Sequence, residues 1–255
     1  IGTVSANQSV TIQNVNLTNS HVEGGHWTGG FAGYAAGYSG TDGPVFTTVL
    51  ITNCSVTGCS VTGKGSTGGV IGHAAGDVWT EVVIADTTVS GNTVMSTGTS
   101  AIKAGSVIGT VGAAGTETTV NGTTHVGDVR VSAQVSGNTV TSGGAATTSI
   151  FGRFGTAGGV LRVTGGVYDG AADYAGLPLA GDAAGTLLIS GGTYATRPDA
   201  SVVAEGFFPC ESVDGTYMVR TVGQRDSIYV DDDFTVGSCG GHVWGYDAFS
   251  EIQAA

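Results

Sequence analysis

The sequence predicts an all-β protein built by stacking one repeat on the next. Three observations carry this expectation: a glycine-bounded phrase that recurs, an apolar phrase that alternates with it, and a composition poor in helix formers. The first phrase is a small-residue entry, two apolar residues and a closing glycine. It reads Gly29-Gly30-Phe31-Ala32-Gly33, Gly68-Gly69-Val70-Ile71-Gly72, Ala104-Gly105-Ser106-Val107-Ile108-Gly109 and Thr148-Ser149-Ile150-Phe151-Gly152. The closing glycines stand at 33, 72, 109 and 152, in steps of 39, 37 and 43 residues. Self-similarity at such a period marks a stacked architecture. The second phrase is Val49-Leu50-Ile51-Thr52-Asn53, Val82-Val83-Ile84-Ala85-Asp86, Val129-Arg130-Val131-Ser132-Ala133, Leu161-Arg162-Val163-Thr164-Gly165 and Leu187-Leu188-Ile189-Ser190-Gly191.

Composition narrows the class. Of 255 residues 46 are glycine, and only 11% are charged. Few charges and many β-branched residues argue against disorder. Scarce Glu, Lys, Arg and Gln argue against a helical protein. Lys and Arg number 8 against 20 Asp and Glu, a net charge of −12. With no basic stripe, nucleic acid and anionic lipid are not expected partners. No apolar run approaches the ~20 residues that span a bilayer, so no membrane insertion is expected. The sequence opens at Ile1 with neither Met nor signal peptide, which we read as a mature or excised fragment.

From Val10 to Val22 apolar and polar residues alternate, the period of a half-buried strand. After each second phrase a third short strand is expected, as in Ser55-Val56-Thr57-Gly58-Cys59-Ser60-Val61, with a Val-x-Gly-x-x-Val core also present at 89–94 and 135–140. Each repeat would hold about three strands with tight, small-residue corners between them. Asn14, Asn53 and Asp86 fall at one phase of the second phrase, where stacked side chains can hydrogen-bond along the stack or simply serve the turns. After Gly159 the spacing shortens: Thr164-Gly165-Gly166-Val167-Tyr168 is echoed by Ser190-Gly191-Gly192-Thr193-Tyr194. Asp214-Gly215 then signals a hairpin. Phe207, Phe208, Tyr217 and Met218 supply apolar bulk to close the last coil, because an open end exposes strand edges.

The glycine phrase followed by Asn53-Cys54-Ser55-Val56-Thr57-Gly58 resembles the GLUG repeat of bacterial surface proteins, over roughly residues 10–170. The family's usual core is Gly-Leu-any-Gly; here other apolar residues hold the centre and Leu is absent. The resemblance implies a right-handed β-helix on an extracellular, adhesin-like or peptidase-associated polypeptide. The stretch 189–222 is similar to a closing segment of large surface proteins of gut bacteria. Ile228-Tyr229-Val230-Asp231-Asp232-Asp233 through Ala255 resembles the entry of a pectate-lyase-like β-helix: a strand, an acidic loop and an amphipathic capping helix. A larger protein interrupted at that helix is the expectation.

Candidate chemistry is sparse. Glycosidases need paired carboxylates, yet Glu23, Asp42, Asp77, Glu81, Asp86, Glu117, Asp128 and Asp169 show no two adjacent or at one phase of the repeat. Lys64 and Lys103 sit in small-residue corners. His21, His26, His73, His125 and His242 lack ligand spacing. There is no Gly-x-Ser-x-Gly elbow and no phosphate loop. Asp231-Asp232-Asp233 is the densest carboxylate group, with oxygen ligands suited to Ca²⁺ but a solvated acidic loop as the simpler reading. His26-Trp27, Tyr34, Tyr38 and Phe46 cluster in the first repeat, as sugar-stacking rings or as packing. Cys54 and Cys59 read as small core fillers without metal-ligand spacing. Cys210 and Cys239 are candidates for a disulfide, which sequence cannot settle without their separation.

The expectation is therefore a right-handed parallel β-helix of about 8 to 10 coils with a C-terminal β-rich cap. Residues 1–195 would form the helix, 196–226 the cap, and 227–255 the start of a following β-helix module. No catalytic residue, metal or cofactor is expected, and the ligand-binding residues stay open. The expected function is a non-catalytic extracellular module of a larger bacterial surface protein, acting as adhesin or stalk. The alternatives are a carbohydrate-binding or polysaccharide-degrading β-helix, and an ice-binding solenoid using Thr118, Thr119, Thr123 and Thr124. The partners would be the rest of its own longer chain, glycans, or a host or cell-surface protein.

Overall fold

The structure, a computed structural model, describes residues 1–5, 8–36, 38–40, 43–45, 47–75, 80–98, 104–112, 118–120, 123–125, 128–147, 150–154, 160–169, 186–212, 214–221, 229–233, 235 and 248–250. They are dominated by short strands, and equivalent strands of successive repeats lie side by side in parallel. The longest sheet runs Ser9–Gln13, Thr47–Thr52, Thr80–Ser90, Asp128–Ser136, Val160–Tyr168, then Thr186–Ile189 and Thr193–Tyr194. Its register aligns the second phrase residue for residue. Val10, Val49, Val82, Val129, Leu161 and Leu187 form one column. Ile12, Ile51, Ile84, Val131, Val163 and Ile189 form the next inward column. From Val49 and Ile51 onward both columns are buried. Each such side chain contributes about 1.5–3 kcal/mol of hydrophobic stabilisation. The glycine phrase builds a second parallel sheet, in which Ala32, Ile71, Ile108 and Phe151 are aligned and buried.

Two rows of left-handed corners bend the repeat. Asn14, Asn53 and Asp86 have φ of 57°, 49° and 48°. Asn and Asp tolerate this region better than other residues with a side chain. Asn53 Nδ2 donates to Asn14 Oδ1 at 2.6 Å, so two corner amides are joined along the stack. Five residues on, Asn19, Gly58, Gly91 and Gly137 make the second row, with φ between 46° and 63°. The sequence suggested one strand across each Val-x-Gly-x-x-Val core; the structure breaks it at the glycine. Ser55–Thr57 and Ser60–Gly63 are separate strands, and Thr93–Ser96 and Thr139–Ser142 likewise follow corners. The positive φ turns the chain there.

Cys54 and Cys59 are buried beside these corners as core fillers. Each thiol also donates to the carbonyl two residues back, Thr52 O at 3.2 Å and Thr57 O at 3.4 Å. One rung beyond Cys59, Asn92 is 1% exposed and fully bonded. Its Oδ1 accepts from the Cys59 amide at 2.8 Å, and its Nδ2 donates to Val56 O at 2.8 Å and Asn138 Oδ1 at 2.9 Å.

The described residues give six parallel rungs in the long sheet, fewer than the 8 to 10 coils expected. One rung consumes a whole repeat, which holds five short strands where about three were expected, as in Thr47–Thr52, Ser55–Thr57, Ser60–Gly63, Ser66–Gly68 and Ile71–Ala75. The last parallel strand pair of the long sheet aligns Tyr168 with Tyr194, whose buried rings stack at 5.1 Å and 10°, and a single parallel bridge beyond it joins Ile189 to Val203. Tyr217–Thr221 then pairs antiparallel with Thr193–Tyr194 and with Phe207–Glu211, around the Asp214-Gly215 turn. Phe207 and Tyr217 pack on the core. Cys210 is buried, its thiol 3.0 Å from Met218 O, while Cys239 lies outside the described residues. Ala248–Phe249 pairs in parallel with Tyr229–Val230, so it forms a strand where the sequence suggested helix. The sheets are mostly parallel and are separate from one another, an all-β arrangement compatible with a β-helix.

Candidate functional site

The most distinctive outer surface lies where two sheets meet at the first glycine phrase. Trp27–Gly29 and Ala32–Ala36 flank the corner Gly30-Phe31. Their backbones approach closely because glycines stand at the contact. A Cβ on Gly33 would lie 2.8 Å from Trp27 O. One on Gly72 would lie 2.7 Å from Gly33 O and 2.8 Å from Thr28 O. Alternation sends Thr28 inward and leaves Trp27 48% exposed. Trp27 and Tyr34 then face each other across the corner, with centroids 4.5 Å apart and planes tilted by 30°. His73, paired with Tyr34 on the next rung, lies 5.1 Å from that ring and 6.1 Å from Trp27. The His26 ring centroid lies 6.3 Å from that of Trp27. On the third rung Thr110 continues the Tyr34–His73 row, and its hydroxyl is 2.7 Å from that of Ser66, the neighbour of Trp27. The result is a rigid strip of aromatic rings ending in a hydroxyl pair. Such a surface offers π-faces to the C–H groups of a sugar ring, while the Ser66 and Thr110 hydroxyls are buried at its end.

The sequence placed His26, Trp27 and Tyr34 together but gave His73 as an isolated dipeptide. Only the parallel register brings it to the strip, as its place after a closing glycine matches that of Tyr34. The side chain of Tyr38, and Phe46, lie outside the described residues.

A second cluster was missed. The sequence was read as having no two acids at one phase, yet Glu81 and Asp128 are direct partners on adjacent strands. Both precede the first apolar residue of the second phrase, so the alignment already held the signal. Arg130 and Arg162 are paired one row on. Asp128 Oδ2 accepts from Arg130 Nε at 2.7 Å and Arg162 Nε at 3.2 Å. Arg130 Nη1 stands 3.5 Å from Glu81 Oε1. The group is an outward charge network, not a pair of carboxylates alone across a cleft.

Other candidates stay apart. Lys64, Glu23 and Asp86 are exposed. His21 is 3.6 Å from Glu23 on the surface. Lys103, Asp42, Asp77, Glu117 and His242 lie outside the described residues, as does the side chain of His125. Thr118–Val120 and Thr123–His125 form an antiparallel pair, so those threonines do not occupy successive rungs. The carboxylates of Asp231, Asp232 and Asp233 gather within 4.8 Å, all exposed. The Asp233 amide donates to Asp231 Oδ1 at 3.0 Å, a local turn.

The described residues define an all-β chain of aligned parallel repeats with an aromatic strip on one outer corner. No helix among them is long and apolar enough to cross a membrane. No protein-family model, curated protein or solved structure matches the chain.

Proposed function

We propose that the chain is a non-catalytic, extracellular adhesin-type module whose parallel sheets wind into a right-handed β-helix. The helix acts as a rigid stalk, and the Trp27–Tyr34–His73 strip is where it holds a glycan. The repeat's resemblance to GLUG sequences of bacterial surface proteins supports the setting. The observation that carries the binding role is Trp27, half-exposed and facing Tyr34 at 4.5 Å across the Gly30-Phe31 corner. A large aromatic side chain left in water on a stiff sheet is a ready contact surface, since little side-chain freedom is lost on binding.

A glycan array probed with the purified chain, followed by titration of the best neutral oligosaccharide, tests this. Wild type should bind, and Trp27→Ala should weaken binding about tenfold or more, the ~1.4 kcal/mol or more expected from one lost stacking face. Unchanged affinity in Trp27→Ala removes the strip from the function. Release of new reducing ends from any bound polysaccharide overturns the non-catalytic reading.

A further inference from the structure

The arginine pair on the outer face of the long sheet is unusual chemistry for this chain. Arg130 and Arg162 stand directly opposite on adjacent parallel strands, where like charges repel. They are two of only 8 basic residues in a chain of net charge −12. Both direct Nε to the same atom, Asp128 Oδ2. That side chain is only 6% exposed, and its Oδ1 is buried with no hydrogen-bond partner among the described residues. A buried acceptor without a partner is costly, and Asp128 bears that cost at one oxygen while the other pins two guanidiniums side by side. Their side chains remain 47% and 39% exposed; Arg130 Nη1 also stands 3.5 Å from Glu81 Oε1, while the Nη atoms of Arg162 have no partner among the described residues.

We propose that Arg130 and Arg162 together seat the carboxylate of an acidic sugar, with Asp128 as the positioning residue. Strands about 4.8 Å apart place the two forks so that each can donate to one carboxylate oxygen. The planar fork matches a carboxylate better than a lysine would. The negative field of the whole chain disfavours densely sulfated polymers, leaving spaced, singly charged carboxylates as the fitting class. This site is separate from the aromatic strip and does not depend on it.

Calorimetric titration with oligogalacturonate, with neutral oligogalactose of equal length and with dextran sulfate tests the assignment. Wild type should bind oligogalacturonate in preference to the other two. Arg162→Gln should lose about tenfold or more in affinity, and Arg162→Lys, keeping the charge without the fork, should fall between. Asp128→Asn is decisive on positioning. It removes a negative charge, which by net electrostatics alone strengthens anion binding, yet loss of the shared anchor should weaken it several-fold. All variants are checked for wild-type melting, and Arg162→Lys stands in where another does not fold. Absent oligogalacturonate binding, unchanged affinity in Arg162→Gln, tighter binding by Asp128→Asn, or equal binding of oligogalactose or dextran sulfate would each overturn the proposal.

Discussion

Replacing Gly72 with alanine tests whether the closing glycines exist for close sheet contact. The added Cβ would lie 2.7 Å from Gly33 O and 2.8 Å from Thr28 O, and closer still to the Thr28 amide nitrogen. Real Cβ contacts essentially never fall under 3.0 Å. The obstacles are backbone atoms on both sides, so no rotamer change relieves them. The sheets must separate by roughly 0.5–1 Å, and a gap of that size forfeits about a quarter to a half of each dispersion well along the seam. Overpacking of this kind costs about 1–3 kcal/mol, and the rigid backbone puts Gly72 at the upper end. Reduced freedom of the unfolded chain returns about 0.4–1 kcal/mol. The net expectation is about 2 kcal/mol of destabilisation, or ~4–8 °C in Tm for a chain of this size. Gly25→Ala is the control, because a Cβ there meets nothing within 4 Å. Thermal and urea unfolding followed by circular dichroism read both variants. If Gly72→Ala melts with wild type, or no lower than Gly25→Ala, the close-contact account of the glycine phrase is wrong.

Three further expectations follow from the same structure. Asn92→Ala strips partners from the buried Cys59 amide and Val56 carbonyl and should cost ~2–3 kcal/mol in urea unfolding, whereas Asn53→Gly, at an exposed left-handed corner, should be nearly neutral. Burial raises the Tyr168 phenol above its ordinary value, and burial with the neighbouring Tyr168 does the same for Tyr194; their ultraviolet titration should therefore appear above the ordinary phenol range of about pH 10, only when alkali unfolds the chain. The Asp199 carboxylate is held below the usual range by hydrogen bonds from the Ser201 hydroxyl and amide, and Asp214 by those from Thr216. Their folded values lie under the unfolded value of about 3.9, so their stabilisation is present above that pH and is lost as pH falls through the folded values. Asp199→Asn with Asp214→Asn should flatten this acid limb of the stability curve, and an unchanged limb would assign it to other groups.

The repeat was legible in the sequence because stacking imposes the same demand on every rung. Val, Ile and Leu recur where an inward column must be filled. Glycine recurs where two backbones touch, and Asn, Asp or Gly where φ must be positive. These are local requirements, and each restricts residue type strongly enough to be read without coordinates. The double corner in each repeat was not read, since glycine at 58, 91 and 137 is equally consistent with a weak strand interior. Whether glycine bends the chain depends on what its neighbours hydrogen-bond to on the next rung.

The sites divide in the same way. Sequence alone brought Trp27 and Tyr34 together, because seven residues across a tight corner leave few alternatives. It could not bring in His73, 39 residues beyond Tyr34, or join Asp128 to Arg162. Those neighbours are fixed by inter-strand register, a long-range property set by the whole column of inward aliphatics. One residue of slippage would turn every such side chain to the other face. Sequence thus determined which residue types line each column; tertiary packing decided which outward side chains stand beside one another, and there the candidate chemistry lies.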